Sequence, residues 1–204
     1  MSLQTMRAFA KDLAAIRWYI AVSFALFFVG VAFGAGSEGL NAYLESQIAP
    51  MRGVAERLDA TANPQVWMFL FIFINNFVKS LFVVFLGALF GLFPLFFLLT
   101  NGMILGYVAA VAGDSGANVF SLIVRGILPH GLLEITAILI AAAYGLKYGA
   151  LVFAELVRAF RGGGSSASLK AFHGTFGRLI AFLFFALLVA AFIESTITYF
   201  LVRG

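Results

Sequence analysis

The sequence predicts an all-α protein, a polytopic transmembrane helical bundle of about five spans with a short external amphipathic helix. The first observation is composition: 63% of the 204 residues are hydrophobic and only 11% are charged, whereas charged residues make up about a quarter of soluble domains. The second is that the apolar residues fall into five runs, each close to the length of about 20 residues that a helix needs to cross a bilayer. The 25 phenylalanines are more than a soluble core of this size could bury.

The first predicted span is 18–36. It carries no charge and begins with Trp18 and Tyr19, the aromatic pair expected at a membrane interface. A cleaved signal peptide is the competing interpretation, but its apolar region is usually about 7–15 residues long. We therefore expect this run to remain in the mature protein as a membrane helix.

The remaining spans are predicted at 66–90, 94–113, 126–146 and 179–202. Only the short segment 91–94, which holds a glycine and a proline, separates the second run from the third, so a tight turn should make them an antiparallel hairpin. We find no repeat of fixed period, and a single integral membrane domain over 1–204 is expected.

Between the first two spans, the segment 37–65 is predicted to be external. Apolar residues such as Leu44, Ile48 and Met51 recur in it every three or four positions, as in an amphipathic helix, and Pro50 should bend this helix. Such a helix would lie on the membrane or cover the bundle.

Lys and Arg residues predict the orientation, because they are retained on the cytoplasmic side of short loops. Arg7, Lys11 and Arg17 precede the first span, and the segment 147–178 is also basic. Five spans place both stretches on one side. We therefore expect a cell-membrane protein with a cytoplasmic N-terminus and a cytoplasmic segment 147–178.

Residues typical of catalysis or of cofactor binding are scarce. His130 and Glu134 are four residues apart but lack the third protein ligand of a catalytic zinc site, and the other histidine, His173, is predicted to be cytoplasmic. The basic residues lie near span ends and do not form the stripe expected of a nucleic-acid-binding protein. The sequence therefore predicts no catalytic residues, no metal, no cofactor and no nucleic-acid partner.

Polar side chains inside the predicted spans are the candidate functional residues, because ionisable groups in a bilayer cost several kcal/mol and need a partner or a function. We expect a buried polar cluster in which Glu134 is the counter-ion of Lys79. A helix break is expected beside it at Pro129 and Gly131, and Glu194 is a secondary candidate near the outer end of the last span. The predicted cluster consists of Asn75, Asn76, Lys79, Ser80, Asn101, His130 and Glu134.

Three interpretations of this cluster remain open. It can be an assembly device, because asparagines hydrogen-bond across membrane helices. It can be a path for an ion or proton. Alternatively, Lys79 can extend its ammonium towards the cytoplasmic interface.

Four pairs of glycines are spaced four residues apart, a spacing that lets membrane helices approach closely. Packing within the bundle is the simpler interpretation, and a dimer face is the alternative. The pairs are Gly30 and Gly34, Gly87 and Gly91, Gly102 and Gly106, and Gly145 and Gly149.

Several of these residues together resemble the stage II sporulation protein M family. The resemblance covers roughly 69–149, and its most specific part is the run from Leu128 to Gly131 with Glu134. The other matching residues are Asn75, Asn76, Gly87, Gly91, Asn101, Gly102, Gly106, Gly145, Leu146 and Gly149.

The resemblance implies a multi-span protein without catalysis of its own. In endospore-forming bacteria, the family's namesake acts with two partner proteins in a complex that remodels peptidoglycan during engulfment, and the family also occurs in organisms that never sporulate. We therefore expect a scaffold or assembly factor of the membrane or cell envelope, embedded in lipid and bound to protein partners. The alternative is a small channel or transporter with a polar path, and a homo-oligomer remains open in both cases.

Overall fold

The structure is a computed structural model that describes residues 3–163 and 167–198, and within these ranges it contains helices and no strand. Shorter 3₁₀ and π-helical turns extend several of the helices. The helices are α1 (Leu3–Ala15), α2 (Arg17–Gly36), α3 (Asn41–Asp59), α4 (Pro64–Phe85), α5 (Leu92–Asp114), α6 (Val119–Ser121), α7 (Leu128–Phe160), α8 (Ala167–His173) and α9 (Phe176–Ile193).

Within the described ranges, five helical segments are long and apolar enough to cross a membrane. They are Arg17–Gly36, Pro64–Ala88, Leu92–Asp114, Leu128–Phe160 and Ala167–Ile197. The second segment includes a 3₁₀ turn, Leu86–Ala88, and the last joins α8 and α9 to a π-helical turn, Glu194–Thr198. The prediction of an all-α membrane bundle of about five spans is confirmed.

α7 lies at the centre of the bundle and packs against α2, α4, α5 and α9. Every residue from 137 to 145 is buried, which places protein on all sides of this part of the helix. Tyr144 is fully buried and stacks on Phe172 of α8, with ring centroids 5.4 Å apart. The polar residues near the start of α7 are therefore held by the most enclosed helix of the molecule.

Glycines bring the backbones of neighbouring helices into contact. A Cβ atom on Gly30 of α2 would lie 2.5 Å from the Leu99 carbonyl oxygen of α5, and one on Gly102 would overlap the backbone of α2 at Phe27. Gly145 of α7 lies equally close to α4 and α5. A Cβ atom on it would lie 2.5 Å from the Val83 carbonyl oxygen of α4 and 2.6 Å from Cγ of Pro94 in α5. These glycines pack the bundle internally, in agreement with the simpler interpretation of their spacing.

The turn between the second and third spans is shorter than the predicted 91–94. Gly91 has a φ of 77°, in the left-handed region that favours glycine, and α5 begins immediately after it at Leu92. Pro94 therefore lies in the first helical turn, where its missing N–H has no intrahelical acceptor to lose.

α7, the helix of the fourth predicted span, continues beyond the predicted end at residue 146 and reaches Phe160. Part of the predicted cytoplasmic segment 147–178 is therefore a continuation of α7. The last span begins earlier than predicted. Residues 164–166 of the cytoplasmic segment and 199–202 of the fifth predicted span lie outside the described residues.

Two peripheral helices are attached to the bundle by polar contacts. α3 continues through Pro50 and packs on α4 and α5, where the Tyr107 hydroxyl donates a hydrogen bond of 3.2 Å to Oε2 of Glu45. α1 is joined to α9 because Nε and an Nη of Arg178 donate to the two carboxylate oxygens of Asp12, at 2.6 and 3.1 Å.

Candidate functional site

A polar groove runs between α4 and α5. α5 packs mainly on α2, and α4 packs mainly on α7 and α9, so the two sequential helices leave space between them. The groove has a volume of about 340 Å³. Its lining extends along α5 from Phe93 to Ile104, a distance of about 16 Å at 1.5 Å per residue. Gln47 and Met51 of α3 line it as well, so the amphipathic helix forms part of its wall.

Five of the seven residues in the predicted cluster line this groove. They come from three helices: Asn75, Asn76 and Lys79 from α4, Asn101 from α5 and Glu134 from α7. Nδ2 of Asn75 donates to Oδ1 of Asn76 at 3.0 Å, and Nδ2 of Asn101 donates to the Phe97 carbonyl oxygen at 2.8 Å. Tertiary packing therefore gathers amides and two ionisable groups of opposite sign around one cavity.

Lys79 and Glu134 face the same groove without touching. In residues 3–163 and 167–198, the ion pairs within 4.0 Å do not include these two side chains. Both side chains line the one groove, and the expectation that Glu134 is the counter-ion of Lys79 stays a prediction. Lys79 itself is an exposed side chain on the flank of the bundle.

Ser80 lies apart from the groove, although its spacing from Asn76 had placed it in the cluster. It is 1% exposed, and its hydroxyl has no hydrogen-bond partner in the described structure. α4 docks so that Ser80 is buried inside the bundle, whereas the preceding residue, Lys79, lines the groove.

A second cavity, of about 210 Å³, adjoins the groove and is lined by the motif at the start of α7. His130, Gly131 and Glu134 contribute to it together with Asn101 of α5. Asn101 and Glu134 line both cavities, as does Ile138. Glu134 thus stands between the two cavities.

α7 runs through Pro129 and Gly131, where a helix break was predicted, and a π-helical turn, Leu122–Ile127, leads directly into it. Pro129 is the second residue of α7, where a proline is tolerated. The turn sets the direction from which His130 enters the bundle.

Glu194 joins His130 and Glu134, although it lies at least 60 residues away from both along the chain. Its Oε2 is 3.9 Å from Nε2 of His130, and one potential ligand atom from each of the three residues lies within 4.8 Å of the other two. The sequence-based prediction of no metal site rested on the lack of a third ligand. The fold brings Glu194, a third potential ligand, next to His130 and Glu134.

Sequence reasoning missed Thr100 and Gln47. Thr100 is 8% exposed, lines the groove, and has a hydroxyl without a hydrogen-bond partner in the described part of the chain. Its only sequence signal is its position beside Asn101. Gln47 carries no signal of its own, because its placement depends on how α3 docks.

Comparison with protein families gives one finding for this chain: the family model described as Stage II sporulation protein M matches residues 23–199. This match includes all five helices that could cross a membrane except the first residues of α2. Neither the curated proteins nor the solved structures gave a match.

Proposed function

This chain belongs to the stage II sporulation protein M family, and from that premise we propose that it is a non-enzymatic scaffold that assembles partner proteins in the cell membrane. The observation that supports this proposal is the polar groove between α4 and α5. This groove opens on the flank of the bundle, where Lys79 is exposed. Lys79 is more than two helical turns from either end of its span, Pro64–Ala88.

Lipid chains cannot satisfy the polar groups that line this groove. A lysine at the centre of a membrane helix costs about 2.5–3.5 kcal/mol on insertion scales. Asn75 and Asn76 satisfy only part of each other's hydrogen-bonding capacity, because an amide side chain has two donor hydrogens and two acceptor lone pairs. A partner that covers the groove and supplies acceptors removes these costs.

The occupant that fits is one transmembrane helix of a partner protein. A whole helix has a diameter of about 10 Å with its side chains. The groove volume of about 340 Å³ is therefore enough for several side chains of the partner helix, while its backbone stays outside the groove. The groove length of about 16 Å corresponds to about three turns of such a helix. We expect the partner helix to present a carboxylate or another acceptor to Lys79, with small residues beside Phe96 at the rim of the groove.

The extension of α7 offers a second surface for partners. α7 has 33 residues and is about 50 Å long, whereas the hydrocarbon core is about 30 Å thick. Phe153, Leu156 and Phe160 are exposed along it with spacings of three and four, so they form one apolar stripe. Phe160 is 83% exposed. Such a stripe beyond the membrane is the face that a helical partner binds.

Site-specific photocrosslinking in native membranes tests the groove. A photoreactive phenylalanine analogue replaces Phe96 at the groove rim, and the matched control replaces Phe185 on α9. These two side chains are 58% and 56% exposed, but only Phe96 lines the groove. We expect position 96 to yield one discrete protein adduct and position 185 to yield lipid adducts. Lys79→Leu should abolish the adduct at position 96 while the protein remains folded.

Two results would contradict the scaffold proposal. One is that position 96 reacts only with lipid in native membranes, and the other is an adduct whose yield is the same with Lys79→Leu. An adduct of twice the chain's own mass would identify the occupant as a second copy, so the proposed hetero-partner would be wrong.

One observation favours a small channel or transporter as the second candidate: the groove and the second cavity meet at Asn101 and Glu134. The two functions predict different outcomes for Asn75→Leu and Glu134→Gln. A scaffold variant loses the crosslink, and reconstituted vesicles show no flux with or without the substitution. A transporter variant stays folded and loses a saturable flux that the unmodified chain shows.

A further inference from the structure

His130, Glu134 and Glu194 form a compact group where α7 begins and α9 ends. Of the described residues, these three are the ones whose potential ligand atoms come together in a number sufficient to hold a metal ion. All three side chains are partly buried. The group shares Glu134 with the groove, but His130 and Glu194 do not line the groove, and Lys79 and Phe96, on which the partner test rests, do not belong to the group.

Two secondary-structure features bring the three side chains together. His130 and Glu134 are four residues apart on α7, so they lie one above the other on one helix face. Glu194 is the first residue of the π-helical turn that ends the last span, and this turn contacts both α7 and the π-helical turn before it. π-Helical turns are rare, and they are frequently found at functional sites.

Charge makes the group costly without a cation. Two carboxylates that lie within 4.8 Å of each other repel when both are ionised. A protonated His130 would offset only one of the two charges, and neighbours such as Phe27 and Leu105 offset none. Lys79 interacts with Glu134 only from the groove side. A divalent cation between the carboxylates would offset both charges, in keeping with the rule that buried charges are paired or bind metals.

The distances suit a first-row transition metal after a small closure. Ligand bonds of about 2.1 Å in a tetrahedral site separate neighbouring donor atoms by about 3.4 Å. Nε2 of His130 and Oε2 of Glu194 are 3.9 Å apart, and the largest separation in the group is within 4.8 Å. Rotation of the two flexible glutamate side chains is sufficient to close these gaps without moving a helix.

The donor set indicates the class of ion. One imidazole with two carboxylates is typical of Zn²⁺ and of neighbouring divalent transition ions, whereas Mg²⁺ and Ca²⁺ prefer oxygen ligands alone. The adjacent cavity of about 210 Å³ leaves room for water to complete the coordination.

A buried polar side chain lies near the group. Thr100 lines the groove that Glu134 also lines, and its hydroxyl is buried and unpartnered within the described residues, which costs free energy. The groove and the second cavity meet at Glu134 and Asn101.

We propose that His130, Glu134 and Glu194 bind one divalent transition-metal ion of the Zn²⁺ type, which joins the start of α7 to the end of the last span. The ion neutralises the two carboxylates, and water from the adjacent cavity fills the remaining coordination positions.

Metal titration of the full-length protein tests this proposal. The chain is purified in detergent, stripped with a chelator, and titrated with Zn²⁺ by calorimetry and with Co²⁺ by visible absorption. We expect one equivalent to bind, with d–d bands that indicate nitrogen and oxygen ligands. His130→Gln and Glu194→Gln should each weaken binding by about tenfold or more, given the loss of a direct ligand.

Matched controls come from the same chain. His173→Gln removes the other of the two histidines, and Glu45→Gln removes a carboxylate on α3. Both should bind metal as the unmodified chain does. If either ligand variant fails to fold, zinc X-ray absorption of the unmodified chain replaces it and should give one nitrogen and two or more oxygen neighbours.

Three results would overturn the proposal. They are no binding by the folded chain, binding that is equal in His130→Gln and His173→Gln, and a zinc spectrum without the outer-shell scattering of an imidazole. Metal binding is compared in His130→Gln and Glu194→Gln, whereas the scaffold test measures the crosslink at Phe96 with Lys79→Leu, so failure of this proposal and failure of the scaffold proposal are distinguishable.

Discussion

Gly145→Ala should destabilise the protein by forcing apart three helices at the centre of the bundle. The added Cβ would lie 2.5 Å from the Val83 carbonyl oxygen of α4 and 2.6 Å from Cγ of Pro94 in α5. Ordinary contacts begin at 3.4 Å, so the neighbours have to move by about 0.9 Å. One neighbour is backbone and the other is a rigid ring in a helix, so neither can rotate away.

The expected cost follows from measured overpacking. An extra carbon in a well-packed core costs about 1–3 kcal/mol. The intrinsic preference of helices for alanine over glycine returns up to about 1 kcal/mol of this. We therefore expect Gly145→Ala to lower the free energy of unfolding by about 1–2 kcal/mol. Equilibrium unfolding in mixed micelles of a mild detergent and dodecyl sulfate, followed by circular dichroism, measures this change.

Gly177→Ala is the matched control, because Gly177 also lies in a helix, α9, but its added Cβ meets nothing within 4 Å. We expect this variant to be unchanged or more stable by up to about 1 kcal/mol. Equal stability of the two variants would refute the inference that close backbone contact at Gly145 holds α7 against α4 and α5.

The remaining predictions concern two polar contacts and one buried hydroxyl. Asp12→Asn removes the ion pair with Arg178 and should speed amide hydrogen exchange in α1 but not in the spans, and the exchanged pair Asp12→Arg with Arg178→Asp should restore protection. Tyr107→Phe removes the hydrogen bond to Glu45, so protease should cleave α3 faster while the fold of the spans stays intact; unchanged cleavage would mean that packing alone holds α3. Ser80→Ala removes a buried hydroxyl that lacks a partner, so detergent unfolding should show a gain of about 1 kcal/mol, and a loss would reveal a partner for this hydroxyl.

The fold class followed from the sequence because solvent chemistry is a property of composition and length. Runs of about 20 apolar residues must be helical in lipid, where each backbone polar group has to be satisfied within its own segment. The same reasoning identified the unusual residues, because Lys79, His130 and Glu134 stand out against apolar neighbours. Helical spacing also explained why His130 and Glu134 share a face.

Where the helices end was less predictable. The end of α7 at Phe160 lies beyond the apolar run that marks the membrane, because a helix needs no lipid to continue into water. Pro94 was expected in a turn and lies in the first turn of α5, since a proline is compatible with both positions.

Only the tertiary structure decided which distant residues meet. Spacing placed Ser80 with Asn76, but the docking of α4 buries Ser80 elsewhere and turns Lys79 towards the groove. Glu194 reaches His130 because the last span packs against α7 and ends in a π-helical turn beside it. Composition and periodicity describe each helix by itself, so they identify the polar side chains of a span. Which of these side chains come together depends on how whole helices are rotated and shifted relative to one another. The close backbone contacts at the glycines set this rotation and this shift.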